Sequence, residues 1–379
     1  MSNSANLANS AALARASSNG LDKVVAAETA LSHVDGEAGR LIIAGYDLEA
    51  LVATHDFEAT AALLWATAGL DPAPDAATVR AELGAARVAA FDLVPVLLAA
   101  TKDLTITEGL RAGLSLLPDD DASGRPAHIR AVGAVPVFVA ALCRREAGEA
   151  AVAPNAAEGH AADFLRMLRG VQGSAAEVEA LNAYLVTVTD HGMNASTFTG
   201  RVIASTRAGL ISSVVGALCA LKGPLHGGAP GPVLDMLDAI GTRDNIKPWL
   251  VSEIAKGERL MGFGHRVYKV RDPRADVFNK AVMLLTNGNE RVRFARDVEQ
   301  VALATLKEMK PGQRLDTNME YYTAVLLEAL GIPRSAVTAV FALSRIAGWS
   351  AHVIEQERVG RLIRPQSTYV GHWPDDQAA

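Results

Sequence analysis

The stretch GPLHGGAPG, residues 223–231, sets His226 between a proline turn and bare glycine backbone. An imidazole can give or take a proton near neutral pH, and glycines let another group approach the main chain closely. A turn between two helices accounts for the same residues, with Pro232 opening the next helix. MGFGH, residues 261–265, repeats the theme with His265. Around it, Lys256, Arg259, Arg266, Lys269, Arg271 and Arg274 face only Glu258 and Asp272 in a chain of net charge −6. That local reversal of sign suits an anionic ligand, where a solvated basic face is the plainer reading. The glycine pattern does not fit G-x-G-x-x-G and no strand precedes it, which argues against a dinucleotide fold. DPRA (272–275) reads as a helix start with Asp272 as N-cap and Pro273 at the first position. Arg274 then opposes the helix dipole, an arrangement that attracts an anion.

A second arginine stands out. Phe341, Arg345 and Trp349 follow at helical spacing, so Arg345 lies on an apolar stripe. A buried guanidinium without a partner is costly, and no acid lies one turn away on that helix. Its partner is therefore remote in sequence or a ligand. Arg364, before Pro365, sits in extended backbone and can reach across an interface. In the segment 174–197, Ser174 and Glu177 form a capping-box pattern, and Val178, Leu181, Leu185 and Val188 make a buried stripe. His191 continues that face just where Gly192 breaks the helix, a position that a core histidine bonded to a carbonyl fills. Thr317 and Glu320 repeat the T-x-x-E pattern, which reads Glu320 as a capping glutamate.

The elements that position these groups are mostly helical. Half of the 379 residues are hydrophobic, only 5% are aromatic, and strand-like alternation is scarce. DGEAG (35–39) between two short β-capable runs predicts a small hairpin. The acidic balance offers no general attraction to nucleic acid or anionic membrane. No continuous apolar run approaches the ~20 residues needed to span a bilayer. Cys143 and Cys219 lack metal-ligand spacing and read as reduced core thiols, as in cytosol. Residues 1–19 read as a flexible tail without a targeting signature, and no metal site is expected.

Together these stretches resemble the citrate synthase family, in its short prokaryotic branch. The likeness runs from about residue 20 to residue 371. It rests on GLDKVVAAETALSHVDGEAGRLIIAGYDLEAL, DHGMNASTFTGRVIAST, LKGPLHGGAPGPVLDML, LMGFGHRVYKVRDPRA, TNMEYYTAVLLEALGIP and RIAGWSAHVIEQ through RLIRPQSTYVG. The resemblance implies an all-α, citrate-synthase-like two-domain fold with the small N-terminal hairpin, in a cytoplasmic homodimer or higher homo-oligomer with shared active sites. A large domain comprises 20–228 and 323–379, and a small one 229–322 on the CoA side. No permanently bound cofactor is implied; a coenzyme A thioester is the cosubstrate. By the same resemblance His226 bonds the thioester carbonyl, His265 polarises the ketone of oxaloacetate, and Glu320 is the base. His191, Arg274, Arg345 and a neighbouring subunit's Arg364 bind carboxylates, and Lys269 and Arg271 the coenzyme phosphates. The family's base is usually aspartate, so Glu320 is a departure. Acetyl-CoA gives citrate synthase and propionyl-CoA 2-methylcitrate synthase, with a non-catalytic CoA- or dicarboxylate-binding homologue as the third reading.

Overall fold

The computed structural model describes residues 21, 24–120, 124–226, 231–264, 272–313, 315–367 and 369. Residues 1–19, expected as a tail, lie outside them. Contact density separates Met1–Ala30 from Leu31–Ala379, and the elements below belong to the second unit. Among the described residues are sixteen α-helices and one small sheet.

The expected hairpin is present as β1 (Ser32–Asp35) and β2 (Arg40–Ile43), antiparallel with Ser32 opposite Ile43. Asp35 Oδ1 accepts from the N–H groups of Glu37 and Ala38 (3.0 and 2.9 Å), which closes the turn. A third strand, β3 (Tyr46–Asp47), extends the sheet on the β2 side. The periodicity did not announce it, because a two-residue strand carries no alternation.

The core is built on two long helices. In Ala127–Glu146 every residue from His128 to Cys143 is buried. Val337–Val359 packs against it and against Phe57–Ala68, where Trp65 Nε1 donates to Ser350 Oγ at 2.8 Å. Averaged over their length, Ala127–Glu146 and Arg334–Arg358 are long and apolar enough to cross a bilayer. The expectation from continuous runs was too narrow. Their apolar windows are 89% and 83% buried inside the protein, so interior packing accounts for the composition. Cys143 is buried and its thiol is pushed up to about 12 by desolvation. Cys219 is not the expected core thiol: it is free and exposed on Leu210–Leu221, whose apolar text does not reveal which face is outermost.

Two buried histidines make stability depend on pH. His160 stacks on Phe57 with ring centroids 4.5 Å apart. Burial, then the Arg87 charge, holds its pKa well below 6.5. His128 sits edge-on to Trp65, and burial lowers it to about 4. Both must be neutral in the fold, whereas the unfolded chain takes up protons below about pH 6.5. Stability is therefore full above pH 6.5 and declines as pH falls toward 4. His128 alone accounts for up to about 3 kcal/mol of that loss. Urea unfolding from pH 7.5 to 4.5 should show the decline, and a His128→Gln/His160→Gln variant should flatten it. An unchanged slope would refute the assignment.

Candidate active site

The site begins where one helix face meets one turn. Arg345, Gly348 and His352 share a side of Val337–Val359, at helical spacing. Against them lies the end of Ala175–Val188 and the turn that follows. Arg345 Nε donates to the Val188 carbonyl at 2.6 Å, and His352 Nε2 lies 3.2 Å from Asp190 Oδ1. Between these contacts Gly348 lets the backbones touch, since a Cβ there would stand 2.1 Å from the Thr189 oxygen. Gly348→Ala must push the turn away and should cost about 1–3 kcal/mol by overpacking. Denaturant unfolding checks this; wild-type stability would mean the turn is free to move.

His191 follows at the end of that turn, half-buried. The Ser174–Glu177 capping box and the buried stripe are present as expected. Gly192 N–H donates to Ser32 Oγ at 2.9 Å, and Ser32 Oγ donates in turn to Asp190 Oδ2. Asn194 caps the next helix, Ala195–Ala204. Its second residue, Ser196, meets His226: the Ser196 hydroxyl is 2.8 Å from His226 Nε2, and its N–H donates to the same nitrogen at 3.4 Å. Trp349 Nε1 donates to Ser196 Oγ at 3.2 Å. With Nε2 accepting, the ring proton sits on Nδ1, on the side turned from this anchor. Burial, then the Arg345 charge, lowers the His226 pKa, so the ring is neutral at pH 7. His226 also closes the expected proline turn, its N–H donating to the Gly223 carbonyl at 2.9 Å.

Arg345 is the centre of the arrangement. It is 2% exposed, and its guanidinium lies over the Phe341 ring, 4.7 Å from the centroid. Beyond the Val188 bond it has no ion pair among the described residues. Burial pushes it down to about 10; the Asp190 charge opposes that, and the Arg274 charge adds to it. Arg274 and Arg345, 71 positions apart in sequence (345 − 274), are thus close enough to repel.

Asp272 caps Pro273–Leu284 with Pro273 first, as expected. Arg274, expected to attract an anion, already meets one within the chain. Its guanidinium folds back on Asp272, Nε to Oδ1 at 3.0 Å and Nη2 to Oδ2 at 2.8 Å, with both side chains buried.

The third part joins two segments remote in sequence. Gly264 N–H donates to the Asp316 carbonyl at 2.8 Å, and Asn318 N–H to the Gly262 carbonyl at 2.9 Å. Asn318 Nδ2 adds a bond to the Gly264 carbonyl at 2.8 Å, and Phe263 bridges Thr317. Gly262 is needed there, with φ +87° and a Cβ position 2.8 Å from the Tyr321 ring. His265, immediately after Gly264, lies outside the described residues, as do Lys269 and Arg271.

Glu320 is not a capping-box residue. The N-cap of Met319–Ala329 is Asn318, whose Oδ1 accepts from the Glu320 N–H at 2.9 Å. Thr317, the expected cap, donates its hydroxyl to Glu299 at 2.7 Å, and the Tyr322 hydroxyl donates to the same carboxylate. Glu320 is half-buried in the first turn. Arg364 is exposed in the extended segment after Gly360, anchored beside it by Ile363 N–H to Ser205 Oγ at 3.0 Å.

The model of the citrate synthase C-terminal domain matches residues 20–366. The chain belongs to the citrate synthase family. It is 36% identical to a putative citrate synthase 2 of Mycobacterium tuberculosis, over 94% of this chain and 93% of that one. It is 34% identical to a 2-methylcitrate synthase of the same species, over 93% and 90%. Among solved structures, the citrate synthase of Thermoplasma acidophilum in ternary complex with carboxymethyl coenzyme A and oxaloacetate superposes with a TM-score of 0.79. It shares 28% identity and covers 94% of this chain and 96% of that one. The all-helical fold with a small sheet is thus a citrate synthase fold.

Sequence reasoning passed over Asp190, Ser196, Glu299 and His352. His352 carried a signal: it lies seven residues past Arg345, on the same helix face.

Proposed function

We propose that this citrate synthase family member condenses acetyl-CoA with oxaloacetate and hydrolyses the resulting thioester to citrate and CoA. The observation that carries the reading is Arg345, buried and without an ion pair among the described residues, close to His226 and Arg274. A dicarboxylate supplies the direct bidentate partner that the guanidinium lacks, and arginine forks fix its orientation as well.

In this reading Glu320 takes a proton from the carbon beside the thioester while His226 Nδ1–H donates to the developing enolate oxygen. The new carbon–carbon bond forms to the ketone carbon of oxaloacetate, whose oxygen His265 polarises and protonates, so that it stays on that carbon as the hydroxyl of citryl-CoA. Water then cleaves the thioester, releasing CoA. His191, Arg274 and Arg345 hold the carboxylates, with Arg364 entering from a second copy of the chain. The pairing of 262–264 with 316–318 supports a joint role for His265 and Glu320.

For the coenzyme, Lys269 and Arg271 face its phosphates in this proposal. A cleft of about 360 Å³ lined by Arg259, Leu260, Phe263, Gly264 and Lys310 suits its nucleotide end. Residues 229–322 act as the smaller lobe that closes on bound substrate, excluding water until condensation is complete. Two free cysteines support a cytoplasmic location.

Initial rates of thiol release with acetyl-CoA and with propionyl-CoA, each with and without oxaloacetate, test the proposal. The expected result is oxaloacetate-dependent release, faster with acetyl-CoA. Faster turnover of propionyl-CoA would assign the chain to 2-methylcitrate synthesis, as named for the 34% identical relative. The two substrates differ by one methyl, worth about 1–3 kcal/mol in a fitted pocket. No release from either would overturn the catalytic reading in favour of a binding protein.

A further inference from the structure

Behind Arg345 runs a buried polar chain that no step above uses. Asp190 accepts from Ser32 Oγ on one side and faces His352 Nε2 on the other, at 3.2 and 3.3 Å from its two oxygens. His352 Nδ1 lies 2.9 Å from Arg201 Nη1. A guanidinium is only ever a donor, so Nδ1 must accept, and the ring proton must sit on Nε2, aimed at Asp190. Arg201 is in turn paired with Glu355 and donates through Nε to Gln356 Oε1 at 3.1 Å. Asp190, Arg201, His352, Glu355 and Gln356 are all less than 5% exposed.

The charges along this chain sum in a particular way. Glu355 neutralises Arg201, and His352 in this tautomer is neutral. Asp190 therefore keeps a full negative charge, close enough to Arg345 to interact yet not bonded to it. A buried carboxylate beside a buried guanidinium gains most by closing into a direct bidentate pair. Here two donors hold it back.

We propose that His352 is a positioning residue of the oxaloacetate site, restraining Asp190 so that it balances Arg345 without occupying the guanidinium edge a substrate carboxylate needs. Ser32 is the second restraint, from β1. The proposal rests on the reading of Arg345 as an oxaloacetate ligand. The environment of Asp190 fits it: the Arg345 charge and the Ser32 hydroxyl both favour the carboxylate, against the cost of burial.

The test is a double-mutant cycle on purified full-length protein, reading KM for oxaloacetate and for acetyl-CoA separately from kcat. In His352→Phe, Asp190 is released to close on Arg345, and the oxaloacetate KM should rise about tenfold or more while that for acetyl-CoA stays within about threefold. His352→Gln, which keeps a donor within reach of Asp190, should restore most of the affinity. Adding Asp190→Asn to His352→Phe removes the competing charge and should bring the oxaloacetate KM back down. A merely structural role predicts the opposite, a double variant no better than the single one. Should His352→Phe fail to fold, Ser32→Ala releases the other restraint from a half-buried strand and should raise the oxaloacetate KM several-fold, again reversed by Asp190→Asn. An unchanged oxaloacetate KM, or a rise that Asp190→Asn does not reverse, overturns the proposal. Wild-type protein without oxaloacetate-dependent turnover would instead sink the underlying assignment of the site.

Discussion

Glu320→Gln should fold normally, bind oxaloacetate, and lose condensation and exchange of the methyl protons together. The structure removes the capping-box role for this residue. Asn318 caps the helix and Thr317 bonds Glu299, so no capping box depends on the glutamate. Glutamine is nearly the same size and leaves the backbone bond from Glu320 N–H to Asn318 intact. What it lacks is a charge with which to accept a proton. Loss of a general base lowers the rate by about 10²–10⁴-fold, and proton exchange monitored by NMR in deuterated buffer separates that step from carbon–carbon bond formation. Glu320→Asp should also be slower, by up to about 10²-fold, because the base retreats by one methylene from a loop held in place by Glu299 and Gly262. Full activity in the glutamine variant would take Glu320 out of the mechanism; faster turnover by aspartate would point to an acyl-CoA other than acetyl-CoA.

His226→Ala should lower kcat by about 10²–10³-fold, the usual loss when one donor to a developing oxyanion is removed. Its neutral ring, held through Nε2 by Ser196, presents a single N–H and brings no charge of its own to repel a cationic neighbour such as Arg345. Oxaloacetate affinity should stay near wild type, because the carboxylate ligands are other residues. Equilibrium binding of oxaloacetate alongside steady-state kinetics makes the comparison. Near-normal turnover would return His226 to the role of a turn residue.

The kinetic effects come from residues whose chemistry was legible in the chain, but their surroundings were legible only in part. Signals that act over three or four residues came through. The Ser174–Glu177 box, the Asp272–Pro273 helix start, the turn closing at His226 and the stripe of Phe341, Arg345 and Trp349 all follow from bonds and spacings within one or two helical turns. So did the cost of burying Arg345, since a charge on an apolar face announces a missing partner wherever that partner lies.

Where two neighbouring groups competed, sequence alone picked the wrong winner. Thr317 and Asn318 are both good N-caps, and a carboxylate on another helix, Glu299, drew the threonine hydroxyl away. The ion pair of Arg274 with Asp272, two residues back, is likewise a local contact that the helix-start reading left out. Contacts between distant segments were decided by tertiary structure alone. The pairing of 262–264 with 316–318 and the bond between Asp190 and His352, 162 positions apart, depend on which faces meet when the helices pack. A sequence carries periodicity along an element but not the neighbour across it. The residue types able to do chemistry were therefore set by the chain itself, whereas the bonds that seat Arg345 and restrain Asp190 exist only once Val337–Val359 lies against the turn at 188–192, and the bond that aims His226 only once its turn meets Ala195–Ala204.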